Sequence, residues 1–239
     1  MSENERNRLH RHPTAAEAAA ACGAAILSTL RARIERDGHA SLAVSGGSTP
    51  RLMFEAMAQA EFPWPRLHLF WVDERCVPPN HADSNYRMAR ETLLDRVEIG
   101  GIHRIEAELP PERAAETYAQ DLVEYFAGEP HFTALHLGMG ADGHTASLFP
   151  GLVAVEDSSG LVEAVWVNQL NAYRITLLPR AILAAERIFV LVAGRDKAQA
   201  LHAVFHGPQT PRQLPIQIIK SRGQAVEWYI DEAAGERLP

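Results

Sequence analysis

A mainly parallel, doubly wound, Rossmann-like α/β sheet with helices on both faces is the fold that this sequence predicts, and three observations predict it. Short apolar runs alternate with helical stretches along almost the whole chain. Two of those runs break into glycine-rich turns, SGGSTP at 45–50 and GMGADGH at 138–144, as strands do where they meet a ligand crevice in open α/β sheets. The third is size: 239 residues, 46% of them hydrophobic, suffice for one core, so a single domain over residues 1–239 is expected.

In chain order, the first element is a helix from Thr14 through Leu30 and on to Ile34. Arg6, Arg8 and Arg11 ahead of an alanine-rich run look superficially like a secretory leader. Glu17 interrupts that run, however, and Ile26, Leu27, Leu30 and Ile34 recur at helical spacing into charged residues. Thr14 followed by Glu17 matches a capping box. Ala40–Val44 reads as a short buried strand, Ser45–Thr49 as a turn, and Pro50–Gln59 as a helix with proline at its first position. Leu67–Val72 is a strand, Asp83–Arg96 a loop and helix, and Arg113–Phe126 an amphipathic helix with Tyr118, Leu122 and Phe126 on one side. Thr133–Leu137 is the strand that leads into the second glycine-rich turn, after which a helix is expected. Val162–Val167, Tyr173–Leu178 and Arg187–Ala193 are further strands, helices follow the last two, and Ala225–Ile230 closes the sheet. Right-handed crossovers would join them.

Composition narrows the function. A net charge of −7 and a pI near 5.9 argue against a nucleic-acid footprint, while leaving room for a local basic pocket. No run approaches the ~20 apolar residues of a membrane span, so neither a membrane partner nor secretion is expected. Cys22 and Cys76 are the only cysteines and are far apart, which predicts no disulfide, no thiolate metal site and a reducing, cytoplasmic setting.

Four segments at strand ends carry candidate chemistry. In SGGSTP, the small residues Ser45, Gly46, Gly47, Ser48 and Thr49 expose backbone N–H groups and hydroxyls at a helix start, which suits a phosphate; a serine-rich helix cap has the same pattern. In WVDERCVPP, Asp73, Glu74 and Arg75 crowd a strand end, where the arginine could grip phosphate oxygens or close a structural ion pair. Ser84, Asn85 and Tyr86 read as helix capping and packing. Gly138, Gly140 and Gly143 make the second turn sharp and present Asp142 and His144, the latter able to exchange a proton near neutral pH. Lys197 in GRDK and Arg174 in YRITLL could supply further positive charge, or be solvated surface groups.

Taken in order, SGGSTP at 45–50, VDERCVP at 72–78, SNYRMA at 84–89, GMGADGHTASLFPG at 138–151, RIT at 174–176, GRDK at 194–197 and WYIDEAA at 228–234 resemble the 6-phosphogluconolactonase family, within the broader glucosamine-phosphate isomerase-like group. The resemblance spans nearly the whole chain. It implies hydrolysis of 6-phospho-D-glucono-1,5-lactone to 6-phospho-D-gluconate with no cofactor and no metal, a small sugar-phosphate lactone being the partner. On that footing His144 is the expected general base with Asp142 beside it. Ser45–Thr49, Asp73, Arg75, Gly140, Arg174 and Lys197 are the expected substrate and phosphate contacts. Glucosamine-6-phosphate deaminases share VDE and GADGH, and Asp73 would keep an acid for their chemistry. They carry an acidic residue in an FNEP-like ending where this chain has Phe149. A sugar-phosphate sensor without turnover is the remaining alternative, for which the chain offers no output module.

Overall fold

A computed structural model describes residues 8–239, so Arg6 of the leader-like stretch lies outside the described residues. Seven strands form one sheet in the order β1 (Leu9–His12), β10 (Val226–Asp231), β9 (Arg187–Val192), β6 (Ala134–Gly138), β2 (Ala40–Val44), β3 (Leu67–Trp71) and β5 (Gly101–His103). Every neighbouring pair is parallel. Helices cover both faces, which explains why β2 and β9 read as unbroken apolar runs: ASLAV is buried at every position and RIFVLV at all but its first.

The longest helix, α1 (Ala15–Asp37), starts where the capping box placed it. Thr14 Oγ1 accepts the Glu17 N–H at 3.2 Å and donates to Glu17 Oε2 at 2.8 Å. The helix packs closely onto α2 (Ser48–Met57) at Gly23, where a Cβ would stand 2.9 Å from the Met57 side chain. The remaining α-helices among the described residues are α3 (Asn85–Ala89), which runs on as a π-helical turn over Arg90–Leu94, α4 (Pro111–Phe126), α5 (Pro179–Leu183) and α6 (Ala198–His206). Among the described residues, no helix is long and apolar enough to cross a membrane.

Strand order sets the position of the site. From β2 the chain builds outward through β3 to β5, then returns to the other side of β2 and builds through β6, β9 and β10. The direction therefore reverses between β2 and β6, and in open α/β sheets ligands bind outside the carboxyl ends of strands at such a reversal. Here the two strands pair only at Leu42–Ala134 and Ala43–Leu135. Beyond that, β2 follows β3 to Val44–Trp71 while β6 follows β9 to Gly138–Leu191. A crevice opens between them.

Three features depart from the sequence expectation. Val162–Val167 and Tyr173–Leu178 do not join the parallel sheet. As β7 (Val162–Val167) and β8 (Ala172–Leu177) they pair antiparallel, with β4 (Asp73–Arg75) on the far side of β8. The link over 168–171 is too short for a parallel crossover, so a hairpin is the available geometry. Strands β1, β4 and β5, none of them expected from the sequence, lack apolar alternation and are recruited by their neighbours. The helix expected after the second glycine-rich turn does not form. Thr145 Oγ1 instead donates to Gly138 O at 2.9 Å, Thr145 and Leu148 make an isolated bridge, and Ala146 takes φ 48. Side-chain bonding to the local backbone outcompetes the helical ladder there.

His136 on β6 is fully buried, and burial pushes its imidazole down to about 3. The unfolded chain, with an ordinary value of ~6.5, takes up a proton that the folded one refuses. Its contribution is therefore complete above pH 6.5 and is lost as pH falls toward 3. This one group should lower the unfolding free energy by about 2 kcal/mol between pH 7 and pH 5. Urea unfolding at both pH values checks this, and the difference should shrink by that amount in His136→Leu.

Candidate active site

The turn after β6 is wound tightly on itself. The Gly143 N–H donates to Gly140 O at 3.0 Å and the Gly140 N–H to His144 O at 2.9 Å. The His144 ring then lies against Gly140, where a Cβ would stand 2.1 Å from Nδ1, so only glycine admits the ring. Asp142 Oδ1 sits 2.6 Å from that Nδ1 and also accepts the His144 N–H at 3.1 Å. Phe149 stacks on the imidazole with ring centroids 4.2 Å apart. Held at Nδ1 and across its face, the ring leaves Nε2 for a ligand. Burial by itself would raise the Asp142 carboxyl, but the His144 N–H and imidazole outweigh it and hold Asp142 below the ordinary carboxylate range. An ionised Asp142 keeps the proton on Nδ1 and the lone pair on Nε2.

The turn after β2 faces this one. Ser48 and Thr49, expected in the turn, already belong to α2, and their N–H groups are among the unpaired donors of the helix start. The Ser45 hydroxyl is engaged inward: it donates to His136 O at 3.2 Å and accepts the Gly138 N–H at 3.4 Å, tying the two turns together. Gly46 lies so close to Asn85 that a Cβ would stand 1.8 Å from Asn85 Oδ1.

Beyond β3, Asp73 is buried and both its oxygens are in use. Oδ2 accepts the Ser147 hydroxyl at 2.7 Å and Oδ1 the Asn85 amide at 3.3 Å. Glu74 is buried for a different purpose. It accepts the N–H groups of Arg75, Asn85 and Tyr86, each at 2.8 Å, and the Ser84 hydroxyl at 3.0 Å, so it anchors the start of α3. Burial pushes its carboxyl up while those N–H donors pull it back. Arg75 and Arg174 stand opposite each other in the β4–β8 register. Arg75 donates to Asp83 O, and burial together with Arg75 lowers Arg174. Neither guanidinium forms a salt bridge among the described residues. Lys197 bonds Asp196 at 2.7 Å, and its turn is pinned by the buried Asp231, whose two oxygens each accept the Gly194 N–H at 3.1 Å.

These parts border one cavity of about 420 Å³, which takes in the 45–49 turn, Asp73, Arg75 with Arg174, Gly140 with His144, and Lys197. Asp142 stands outside it, behind the imidazole. A basic wall, a helix start and an oriented histidine around one space suit a phosphorylated ligand and proton transfer. Sequence reasoning left Asn85, Ser147 and Asp231 without a role in the site. SNY, ASLFP and WYIDEAA were visible as motifs, but Asn85 and Ser147 act on Asp73 and Asp231 on Gly194, all partners remote in the chain.

The family model for glucosamine-6-phosphate isomerases/6-phosphogluconolactonase matches residues 13–228. A 6-phosphogluconolactonase from a Nostoc species is 40% identical over 220 residues, covering 89% of this chain and 90% of the relative. One from a Synechocystis species is 38% identical over 220 residues with the same coverage. The solved 6-phosphogluconolactonase from Trypanosoma brucei matches with a TM-score of 0.87 at 27% identity, over 97% of this chain and 98% of that one.

Gly46→Ala would drive a methyl group into Asn85, which cannot retreat without breaking its bonds to Asp73. The expected loss is about 1–3 kcal/mol of stability, read from the urea midpoint. A Gly46→Ala protein as stable as wild type would show that Asn85 yields freely.

Proposed function

The chain belongs to the glucosamine-6-phosphate isomerase/6-phosphogluconolactonase family, and on that premise we propose that its cavity hydrolyses 6-phospho-D-glucono-1,5-lactone to 6-phospho-D-gluconate with His144 as general base. The enzyme is a carboxylic ester hydrolase acting on a sugar-phosphate lactone in the pentose phosphate pathway. The observation that carries the mechanism is the His144 imidazole, fixed by Asp142 and Phe149, on the same cavity as Arg75, Arg174 and Lys197.

His144 Nε2 takes a proton from water as the water oxygen bonds to C1 of the lactone. Negative charge gathers on the carbonyl oxygen, where the donors are N–H groups of the glycine-rich turn other than those of Gly138, Gly140, Gly143 and His144, which are already bonded within the protein. As the intermediate collapses, the bond between C1 and the ring oxygen breaks, and the imidazolium returns its proton to that oxygen. One water is consumed and the open-chain acid is formed. Asp142 remains ionised throughout and stabilises the imidazolium.

The unreacting phosphate is held by the 45–49 turn with Lys197, Arg75 and Arg174, so binding energy from one end of the substrate orients C1 at the other. A lactone without the phosphate should react poorly. Asp73, with both oxygens already accepting hydrogen bonds, suits a fixed acceptor for a sugar hydroxyl better than the mobile base of an isomerase. Phe149 fills the place of the acid that ring-opening relatives use, and supports His144 instead. Residues 1–239 act as one lactonase domain, and the unpaired Cys22 and Cys76 suit a cytoplasmic setting.

The test follows freshly generated 6-phosphogluconolactone by NMR, with spontaneous hydrolysis subtracted. His144→Ala should lose roughly 10²–10⁴-fold in kcat while still binding 6-phosphogluconate. Asp142→Asn, which no longer enforces the Nδ1–H tautomer, should lower kcat far more than it raises KM. Wild-type turnover in His144→Ala would remove the imidazole from the base role.

A further inference from the structure

His136 is a buried histidine that the proposed reaction does not use. It is fully enclosed on β6, one strand position from the point where β6 parts from β2. In a continuing parallel ladder, the β2 main chain would go on bonding to the β6 main chain. Instead, the Ser45 hydroxyl takes the His136 carbonyl at 3.2 Å, and the Ser45 N–H donates to His136 Nδ1 at 3.4 Å. The imidazole thus replaces backbone where the strands separate. This arrangement has a cost. With Nδ1 accepting, the proton resides on Nε2, which is buried with no hydrogen-bond partner among the described residues. An aliphatic side chain would avoid that orphan donor, so packing alone does not account for a histidine here.

We propose that His136 is a positioning residue for phosphate recognition: its Nδ1 fixes the Ser45 N–H and thereby aims the 45–49 turn into the cavity. This rests on the reading that the 45–49 turn holds the substrate phosphate. Ser45 is the hinge between β2 and that turn, and its N–H and hydroxyl are both committed to residue 136, so the direction in which Gly46, Gly47 and the start of α2 leave the sheet is set there. Burial keeps the ring neutral, so the Nδ1 lone pair persists across the working pH range. In the proposed reaction His144, Arg75, Arg174 and Lys197 act on substrate directly. His136 acts only through Ser45.

The experiment compares kcat/KM for 6-phosphogluconolactone with that for unphosphorylated glucono-1,5-lactone in wild type, His136→Leu and His136→Asn. The asparagine Oδ1 can take the place of Nδ1 as acceptor. Leucine cannot accept a hydrogen bond. The ratio of the two values should fall about fivefold in His136→Leu, chiefly through KM of the phosphorylated substrate, and recover to within about twofold of wild type in His136→Asn. Urea unfolding at pH 7 should find His136→Leu no less stable than wild type. An unchanged ratio in His136→Leu, an equal loss on both lactones, or no recovery in His136→Asn would overturn the positioning role. A wild-type enzyme that does not distinguish the two lactones would instead overturn the phosphate reading of the 45–49 turn, and this proposal with it.

Discussion

Strands β2 and β6 hold one another for two residue pairs and then separate, and the whole site depends on that short contact. Had the ladder continued, the turns after the two strands would be zipped together and no crevice would exist between them. Because each strand is pulled outward by its other neighbour, β3 on one side and β9 on the other, the gap is a consequence of topology. Backbone groups exposed by the separation still need partners in a dry interior. Ser45 supplies them, bridging to His136 and to Gly138. The same few bonds that satisfy the split sheet also set how the glycine-rich turns face each other.

Around that gap, charge is arranged with little freedom. The antiparallel pairing of β4 with β8 puts Arg75 and Arg174 side by side, where the two like charges oppose one another. Among the described residues, no nearby acid closes a salt bridge to either of them. Glu74 is committed to the start of α3, Asp73 to Ser147 and Asn85, and Asp142 to His144. Each carboxylate is thereby held in one orientation, and the cavity keeps a basic wall within a protein of net negative charge. In the proposed reaction this division lets phosphate binding and proton transfer use separate groups around one cavity.

The hairpin of β7 and β8 shows how far a local pattern carries. Both strands were legible from their β-branched and aromatic residues, yet their place in the molecule was not, because a strand's sequence does not record its pairing partner. The outcome matters for chemistry, since the antiparallel sheet is what carries Arg174 to Arg75. Similarly, local pattern predicts a helix just after His144. Thr145 and Ser147 instead spend their side chains on Gly138 and Asp73, and the segment stays irregular, which leaves Phe149 stacked on the imidazole.

Order along the chain was enough to determine the parallel α/β class, the capped first helix, the strands that end in glycine-rich turns, and the residue types on those turns, from His144 to Lys197. All of these depend on periodicity and on backbone freedom within a few neighbouring residues. Tertiary structure decided which groups meet: Asn85 and Ser147 at Asp73, Asp231 at the GRDK turn, His136 at Ser45, and Arg174 beside Arg75. Those contacts join residues a dozen or more positions apart, and they arise from strand order and from the need to satisfy buried polar groups, neither of which any local stretch of sequence encodes.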